Sequence, residues 1–437
     1  MNKCAILLTA DCVVTQNYKR EIIRDGAVAV NQGIIIGLGA RADLEKNWQA
    51  EKTMNLGRAL IMPGLVNAHT HLPMTLLRGI ADDLPLMEWL TRHIFPLEAL
   101  LTPDMLRAGT ALACAEMLRT GTIAFNDMYL NEPHVYRTAD ACGLKGLASE
   151  SVTRYPSPGY GDPANALDTL RAQAAELKGN PRLRYCIAPH AVYTTTPALL
   201  ESLAGLAAEL DLPMDIHLAE TKTETATCLE QHGCRPVELC RRVGILGRNT
   251  TAAHCVDLTE AEIALLAETG TVAAHNPKSN LKLASGVAPL SAMLKAGVRM
   301  SLGTDGAASN NALNMFSEMS FCALIHKGVH QNPTLVPAQT VLDMATLGGA
   351  EALHWPGLGQ LAPEGPADLI ALDLDSPNLA PMHDPVSHIV YAASGQEVRL
   401  TMIDGKILYE NGKYHSLDYP ALVKEAGEIG AFFRSRK

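Results

Sequence analysis

Between residues 61 and 363 short apolar runs alternate with longer amphipathic segments. The runs cover 59–67, 121–127, 144–149, 183–189, 213–218, 250–255, 271–275 and 298–305. Segments with helical spacing lie between them at 102–119, 163–177, 197–210 and 259–268. Thr102-Pro103-Asp104 and Thr259-Glu260 have the make-up of helix starts, with a capping hydroxyl followed by Pro or acids. Eight strands apolar enough to be buried on both faces, each followed by a helix, predict an α/β chain folded as a (β/α)8 TIM barrel. An open doubly wound sheet has the same pattern. No G-x-G-x-x-G follows the first strand, which removes the usual reason to prefer it.

The pattern differs at both ends. Residues 1–60 read as short strands, with a hairpin predicted where Ala27–Val30 and Ile34–Gly39 flank Asn31-Gln32-Gly33. Residues 364–437 return to strands at 367–372, 398–403 and 407–409, with an Asp404-Gly405-Lys406 turn, and close on a helix over 420–433. Neither end is large enough to hold its own core. We therefore expect them to join in one small composite β-sandwich domain beside a catalytic domain over 61–363.

Composition narrows the class of partner. A formal net charge of −10 over 437 residues, with no basic run, argues against nucleic acid or an anionic membrane surface. No apolar stretch is long enough to span a bilayer. Met1–Ala10 faintly resembles a signal peptide, but Asp11 interrupts its short apolar core, and a first strand is the better reading. The ten cysteines include no C-x-x-C pair, so reduced thiols in a cytoplasmic protein are expected. Cys228, Cys234 and Cys240 are read as packing residues.

In a barrel the chemistry sits at the C-terminal ends of the strands, and four of the predicted strands end in suitable groups. The first ends in His69-Thr70-His71, whose two imidazoles share one face of a strand. The fifth ends in His217-Leu218-Ala219-Glu220, the sixth in His254, and the eighth in Thr304-Asp305-Gly306. Each alone is ordinary: a buried histidine can satisfy a carbonyl, and T-D-G is a common turn. Together they suit Zn2+ or a similar divalent ion held by three histidines and a carboxylate. Glu220 is placed to shuttle protons, Asp305 to bind the metal and accept a proton, and His254 to stabilise developing charge. The chemistry expected is metal-assisted hydrolysis of a C–N or similar bond.

The same motifs, Pro63-Gly64-Leu65-Val66-Asn67-Ala68-His69-Thr70-His71, His217-Leu218-Ala219-Glu220, Ala253-His254-Cys255 and Gly303-Thr304-Asp305-Gly306, resemble the amidohydrolase superfamily, and within it the branch of aminohydrolases and chlorohydrolases. The resemblance covers nearly the whole chain. It implies a distorted (β/α)8 barrel with a composite β-sandwich from both termini. It also implies the metal ligands His69, His71, His217 and Asp305. Binuclear members use a bridging carboxylate or carboxylated lysine on strand three or four; strand four here ends Ala188-Pro189-His190, without lysine, which fits one Zn2+ per subunit. Fe2+ or Mn2+ suit the same ligands.

Leu76-Leu77-Arg78-Gly79, Glu88-Trp89-Leu90, Phe95-Pro96-Leu97-Glu98 and the stretch from His275-Asn276-Pro277 to Ser285-Gly286 are similar to enzymes that deaminate 5′-modified adenosines such as 5′-methylthioadenosine and S-adenosylhomocysteine. The resemblance implies that Glu98 holds the ribose hydroxyls, a fitting task for a carboxylate that accepts from a diol, and that His190 contacts the purine. Trp89 is expected to pack on the nucleoside as well as in the core, and Arg154 to meet a homocysteine carboxylate. Glu220 would protonate N1 while Asp305 and His254 support the tetrahedral intermediate at C6. The partner expected is this small nucleoside, with a homo-oligomer expected from the family. The rival within the superfamily is a deaminase of a free base or a hydrolase of an s-triazine, for which a diol clamp has no purpose. A metal-free scaffold protein is disfavoured by the full ligand set.

Overall fold

The computed structural model describes residues 2–436. Strands from both chain ends form one nine-stranded sheet. Its order runs Lys413–Tyr414, Lys406–Glu410, Val398–Ile403, Leu369–Asp373, Ala59–Pro63, Asn2–Val14, Ile22–Asn31, Ile34–Ala40, and Trp48–Asn55 also pairs with Asn2–Val14. The two ends meet where Leu369–Asp373 runs antiparallel to Ala59–Pro63, with Ala371 opposite Ile61. One apolar cluster takes Leu8, Val13, Val28 and Ile35 from one end and Leu369, Leu400 and Met402 from the other.

Both predicted hairpins form. Each has a two-residue turn with two positive φ angles, Gln32-Gly33 and Asp404-Gly405, as twisted strands require. The two turns press together: a Cβ on Gly33 would lie 2.9 Å from the Asp404 carbonyl oxygen, so both positions need glycine for space as well as for φ.

The predicted first barrel strand is divided. Ala59–Pro63 belongs to the terminal sheet, and only Leu65–Thr70 joins the parallel strands. The step falls at Gly64, where a Cβ would lie 2.3 Å from the Ile123 side chain. A continuous apolar run does not reveal this, because both halves are buried.

The parallel strands lie in two sheets. One has the order Ala188–Pro189, Lys145–Val152, Thr122–Tyr129, Leu65–Thr70, with Leu183–Tyr185 paired to Lys145–Val152. The other has Met214–Leu218, Thr250–His254, Val272–His275 and Arg299–Leu302. Strands such as Thr122–Tyr129 and Met214–Leu218 are buried at every position, their polar residues Asn126, Asp127, Asp215 and His217 included. Parallel bridges at Ile187–Met214 and Ala191–His217 join the sheets along one seam. Across the other, the Asp305 N–H donates to the His69 carbonyl at 2.9 Å, and Asn67 makes two bonds to Thr304. The helices follow the predicted spacing: Pro103–Arg119, Ala166–Leu177, Pro197–Leu210, Glu260–Thr269 and Tyr419–Arg434. All ten cysteines are buried and free, and no described helix is long and apolar enough to cross a membrane.

A buried charge ties the terminal sheet to the parallel one. Lys145, at the start of its strand, reaches Asp368 at 2.6 Å and Asp404 at 2.5 Å, with Lys145 and Asp368 both almost fully buried. Burial pushes the Asp368 carboxyl up, and Lys145 pulls it back. Lys145→Met leaves Asp368 buried without its cation, so we expect a loss of about 3–5 kcal/mol in denaturant unfolding. K145M/D368L, with both charges gone, should recover most of it; no recovery would mean that packing, not charge, is what Lys145 contributes.

Candidate metal centre and active site

Five side chains from four strand ends converge. His69 and His71 come from the end of Leu65–Thr70, His217 from Met214–Leu218, His254 from Thr250–His254, and Asp305 from the loop after Arg299–Leu302. Ligand atoms of His69, His217, His254 and Asp305 lie within 4.8 Å of one another. His71 joins them, with Nε2 3.1 Å from Asp305 Oδ1 and 3.3 Å from His217 Nε2. Four imidazoles therefore border one space, where the sequence motifs led us to expect three ligands and a neighbour.

Each ring is turned by a partner on its far side. His217 Nδ1 faces the His190 carbonyl at 2.7 Å, His71 Nδ1 faces the Met128 carbonyl, and His254 Nδ1 faces Asn280 Oδ1 at 2.8 Å. His69 Nδ1 lies 3.5 Å from Asp215 Oδ2, without hydrogen-bond geometry. A carbonyl or amide oxygen accepts N–H, so Nδ1 carries the proton and Nε2 turns its lone pair inward, the arrangement found around metal-bound histidines. Asp305 is held as firmly: Oδ2 accepts from Ser279 at 2.5 Å and Ser309 at 2.9 Å, and Oδ1 from the Gly306 N–H at 2.8 Å.

His69 tests the fit of a cation. It is fully buried, and neither ring nitrogen has a hydrogen-bond partner. Burial holds its pKa below the ordinary value, so the ring is neutral. A neutral imidazole whose Nε2 faces a carboxylate 3.7 Å away and other imidazoles suits a divalent ion. Burial also disfavours charge on His254, but Glu220 and Asp305 beside it keep it above its usual pKa.

A second buried group, His275, Cys322 and His326, lies outside this centre. His275 and His326 meet Nε2 to Nε2 at 3.0 Å, and neither Nδ1 has a partner. It lacks the outer acceptors that orient the first cluster, so we read it as a hydrogen-bonded core pair.

The backbone is bent where the site needs it. Ala219, His254, Cys255 and Asp305 all have positive φ, between 50° and 75°. Non-glycine residues adopt this region at a cost, and such residues cluster at functional sites.

Glu220 follows the first of these bends. Its Oε1 accepts from Ser285 Oγ at 3.2 Å, its Oε2 lies 3.9 Å from His254 Nε2, and burial pushes its carboxyl up. Glu98 is buried in Phe95–Glu98; burial raises its pKa, while the Tyr129 hydroxyl and His71 pull it down. His190 sits beside His217, ring centroids 4.7 Å apart, with Nδ1 on Thr194 Oγ1 at 2.8 Å. Burial and the neighbouring imidazoles bring its pKa to about 3, so it is neutral.

Two expected contacts stand apart. Trp89 is buried, and its indole N–H donates to the Ala81 carbonyl at 3.1 Å, which gives it a packing role. Arg154 is exposed and lies against Tyr155, with Nε 3.0 Å from the hydroxyl; its own N–H donates to the Thr194 carbonyl, on the His190 side of the site. Asp127 lies within Thr122–Tyr129 and accepts from the Leu72 N–H at 2.7 Å.

Sequence reasoning passed over Asp215, Asn280, Ser279 and Ser309. Asp215 had a signal, standing two residues before His217 on the same face of a buried strand. The others are polar groups in segments after strands and become meaningful only when the loops meet.

The family model for the Amidohydrolase family matches residues 60–408. The chain belongs to the amidohydrolase family. This amidohydrolase is 56% identical over 426 residues to a 5-methylthioadenosine/S-adenosylhomocysteine deaminase of Nitratidesulfovibrio vulgaris, covering 98% of this chain and 97% of the relative. It is 45% identical over 377 residues to a 5′-deoxyadenosine deaminase of Methanothermobacter thermautotrophicus, covering 85% and 87%. Among solved structures it resembles an adenosine deaminase from Xanthomonas campestris with bound zinc, at a TM-score of 0.97 and 38% identity over 99% of each chain.

Behind the Asp305 loop of this amidohydrolase lies fully buried Glu318. Asn310 Nδ2 donates to both Glu318 and the Thr304 carbonyl, each at 2.7 Å. Burial pushes the Glu318 carboxyl up to about 7 against the pull of Lys278 and Asn310. An unfolded Glu titrates near ~4.3, so the folded state binds this proton more tightly. The stability it lends is complete below that value and is lost as the pH rises to about 7. Glu318→Gln should flatten the fall in Tm between about pH 5 and 7; a profile parallel to the parent would exclude Glu318 as its source.

Proposed function

We propose that the protein is a metal-dependent aminohydrolase that converts the adenine ring of 5′-modified adenosines, such as 5′-methylthioadenosine and S-adenosylhomocysteine, to the inosine analogue and ammonia. The observation that carries this reading is the buried union of the imidazole and carboxylate cluster with Glu220, 3.9 Å from His254 Nε2, on one side and the buried Glu98 carboxyl near Tyr129 and His71 on the other. The names of the three relatives described above, each a deaminase of adenosine or a 5′-modified adenosine, agree with it.

We assign His69, His71, His217 and Asp305 as the ligands of one Zn2+. The 3.3 Å separation of the His71 and His217 Nε2 atoms supports this, because it matches the ligand spacing expected around tetrahedral zinc, about 3.3 Å for Zn–N bonds of about 2.0–2.1 Å. A cation held there supplies Lewis acidity, which makes water nucleophilic near neutral pH. The residues of the chain do the rest. Glu98 accepts both ribose hydroxyls and sets the nucleoside's register. His190, neutral, presents a polar edge to the purine. Glu220, whose carboxyl burial pushes up, delivers a proton to N1. Asp305, fixed by two serines and an amide, takes the proton that the attacking water releases. His254, oriented by Asn280, stabilises charge developing at C6. Arg154 is assigned to the substrate's 5′ end.

For the fold, we read the two parallel sheets as arcs of a single (β/α)8 barrel over residues 61–363, supported by the backbone bonds along both seams. The shared apolar cluster of the chain ends supports a β-sandwich over 1–60 and 364–437. Free buried thiols fit a cytoplasmic enzyme.

Two measurements test the reading. His71→Ala should lose bound zinc, whereas His254→Ala should keep it and lose kcat about 10²-fold; metal retained in H71A and lost in H254A would exchange the two assignments. The zinc-loaded protein should turn over 5′-methylthioadenosine in the adenine-to-hypoxanthine ultraviolet change, and Glu98→Gln should cost about 10²-fold in kcat/KM by removing the diol acceptor. Turnover of a free base or triazine alone, indifferent to E98Q, would overturn the substrate.

A further inference from the structure

Two helices of this chain begin with the same T-x-x-E motif and use it differently. At Glu260–Thr269 it forms a capping box: Thr259 Oγ1 accepts from the Glu262 N–H at 3.3 Å, and Glu262 returns to accept from the Thr259 N–H at 2.9 Å. At Lys222–His232, Thr221 caps in the same way, accepting from the Glu224 N–H at 3.1 Å. Glu224 does not return to its cap. Its carboxylate instead spans two consecutive amides of the preceding turn, accepting from the Ala219 N–H at 3.1 Å and the Glu220 N–H at 2.7 Å.

That turn carries Glu220. Ala219 sits in it at φ 50°, a conformation that a residue with a Cβ holds only when its surroundings insist. From the opposite side, the Ala219 carbonyl accepts from the Val256 and Asp257 N–H groups, both at 2.9 Å. The peptide is thus gripped at its N–H by Glu224 and at its carbonyl by the chain after His254. Glu224 is buried, and burial pushes its carboxyl up to about 7. A helix already capped by Thr221 does not need a buried carboxyl at this position. A glutamine there would offer one acceptor and turn its NH2 toward the other amide.

We propose that Glu224 is a positioning residue for the proton transfer: by clamping the Ala219 and Glu220 amides it sets the Glu220 carboxyl between Ser285 and His254. This rests on the reading of Glu220 as the proton shuttle. Glu224 touches neither substrate nor metal, so its whole effect should pass through Glu220.

The test is a double-mutant cycle on the zinc-loaded enzyme with 5′-methylthioadenosine. Glu224→Gln should lower kcat about 10²-fold, as expected for a misplaced catalytic group, with KM and zinc content within about twofold. In a Glu220→Gln background it should cost nothing further, because the group it positions is gone. Thr221→Ala, which removes the cap and leaves the clamp, should keep kcat. Should E224Q not fold, Glu224→Asp, one methylene shorter, carries the same cycle. A loss that adds in full to that of E220Q, parental kcat in E224Q, or an equal loss in T221A would overturn the proposal. Near-parental activity in E220Q itself would remove the shuttle, and this inference with it, while leaving the metal and ribose assignments standing.

Discussion

Several imidazole lone pairs and one carboxylate share one buried space. This is the constraint on which the rest depends. His69 states it most sharply, since its two buried nitrogens find no hydrogen-bond partner. Neutral rings cannot satisfy one another here, and burial makes protonating all of them costly. A divalent ion resolves the conflict, and the surroundings are arranged for it. Carbonyls of His190 and Met128 and the amide of Asn280 take the outward N–H groups. Two serines hold Asp305 by one oxygen and leave the other toward His71.

Holding such a cluster demands a stiff frame. The strands that carry it are buried throughout, and both sheet seams lie close to ligands: His217 bridges Ala191 on one, and His69 bonds the Asp305 amide on the other. The strained turns at Ala219, His254 and Asp305 persist because hydrogen bonds on both sides over-determine them. The terminal sheet is locked to this frame by Lys145, whose buried charge is compensated only when Asp368 and Asp404 from the C-terminal strands are in place.

Legibility in the sequence varied with the range of the interaction. The hairpins at Gly33 and Gly405 and the helix starts at Thr102 and Thr259 depend on neighbours two to four residues away, and they fell where the pattern put them. His69, His71, His217, His254 and Asp305 were visible because each ends an apolar run, and strand ends of this architecture share one face. The division at Gly64 was not visible, because apolarity does not say against which sheet a residue is buried. Trp89 meets the same limit: its indole N–H donates to the Ala81 carbonyl, and aromatic character alone does not distinguish a core wall from a binding wall.

By itself the sequence determined the order of strands and helices and which side chains could bind a metal and move protons. These follow from periodicity, turn chemistry and side-chain chemistry, all local. The tertiary structure alone decided that the loops bearing Ser279, Asn280 and Ser309 support the cluster, and that two identical T-x-x-E motifs diverge, one closing a capping box on its own helix and the other clamping the turn that bears Glu220. Those choices depend on which loops meet, and loop meetings are fixed by the closing of contacts hundreds of residues apart, whose geometry no local pattern encodes.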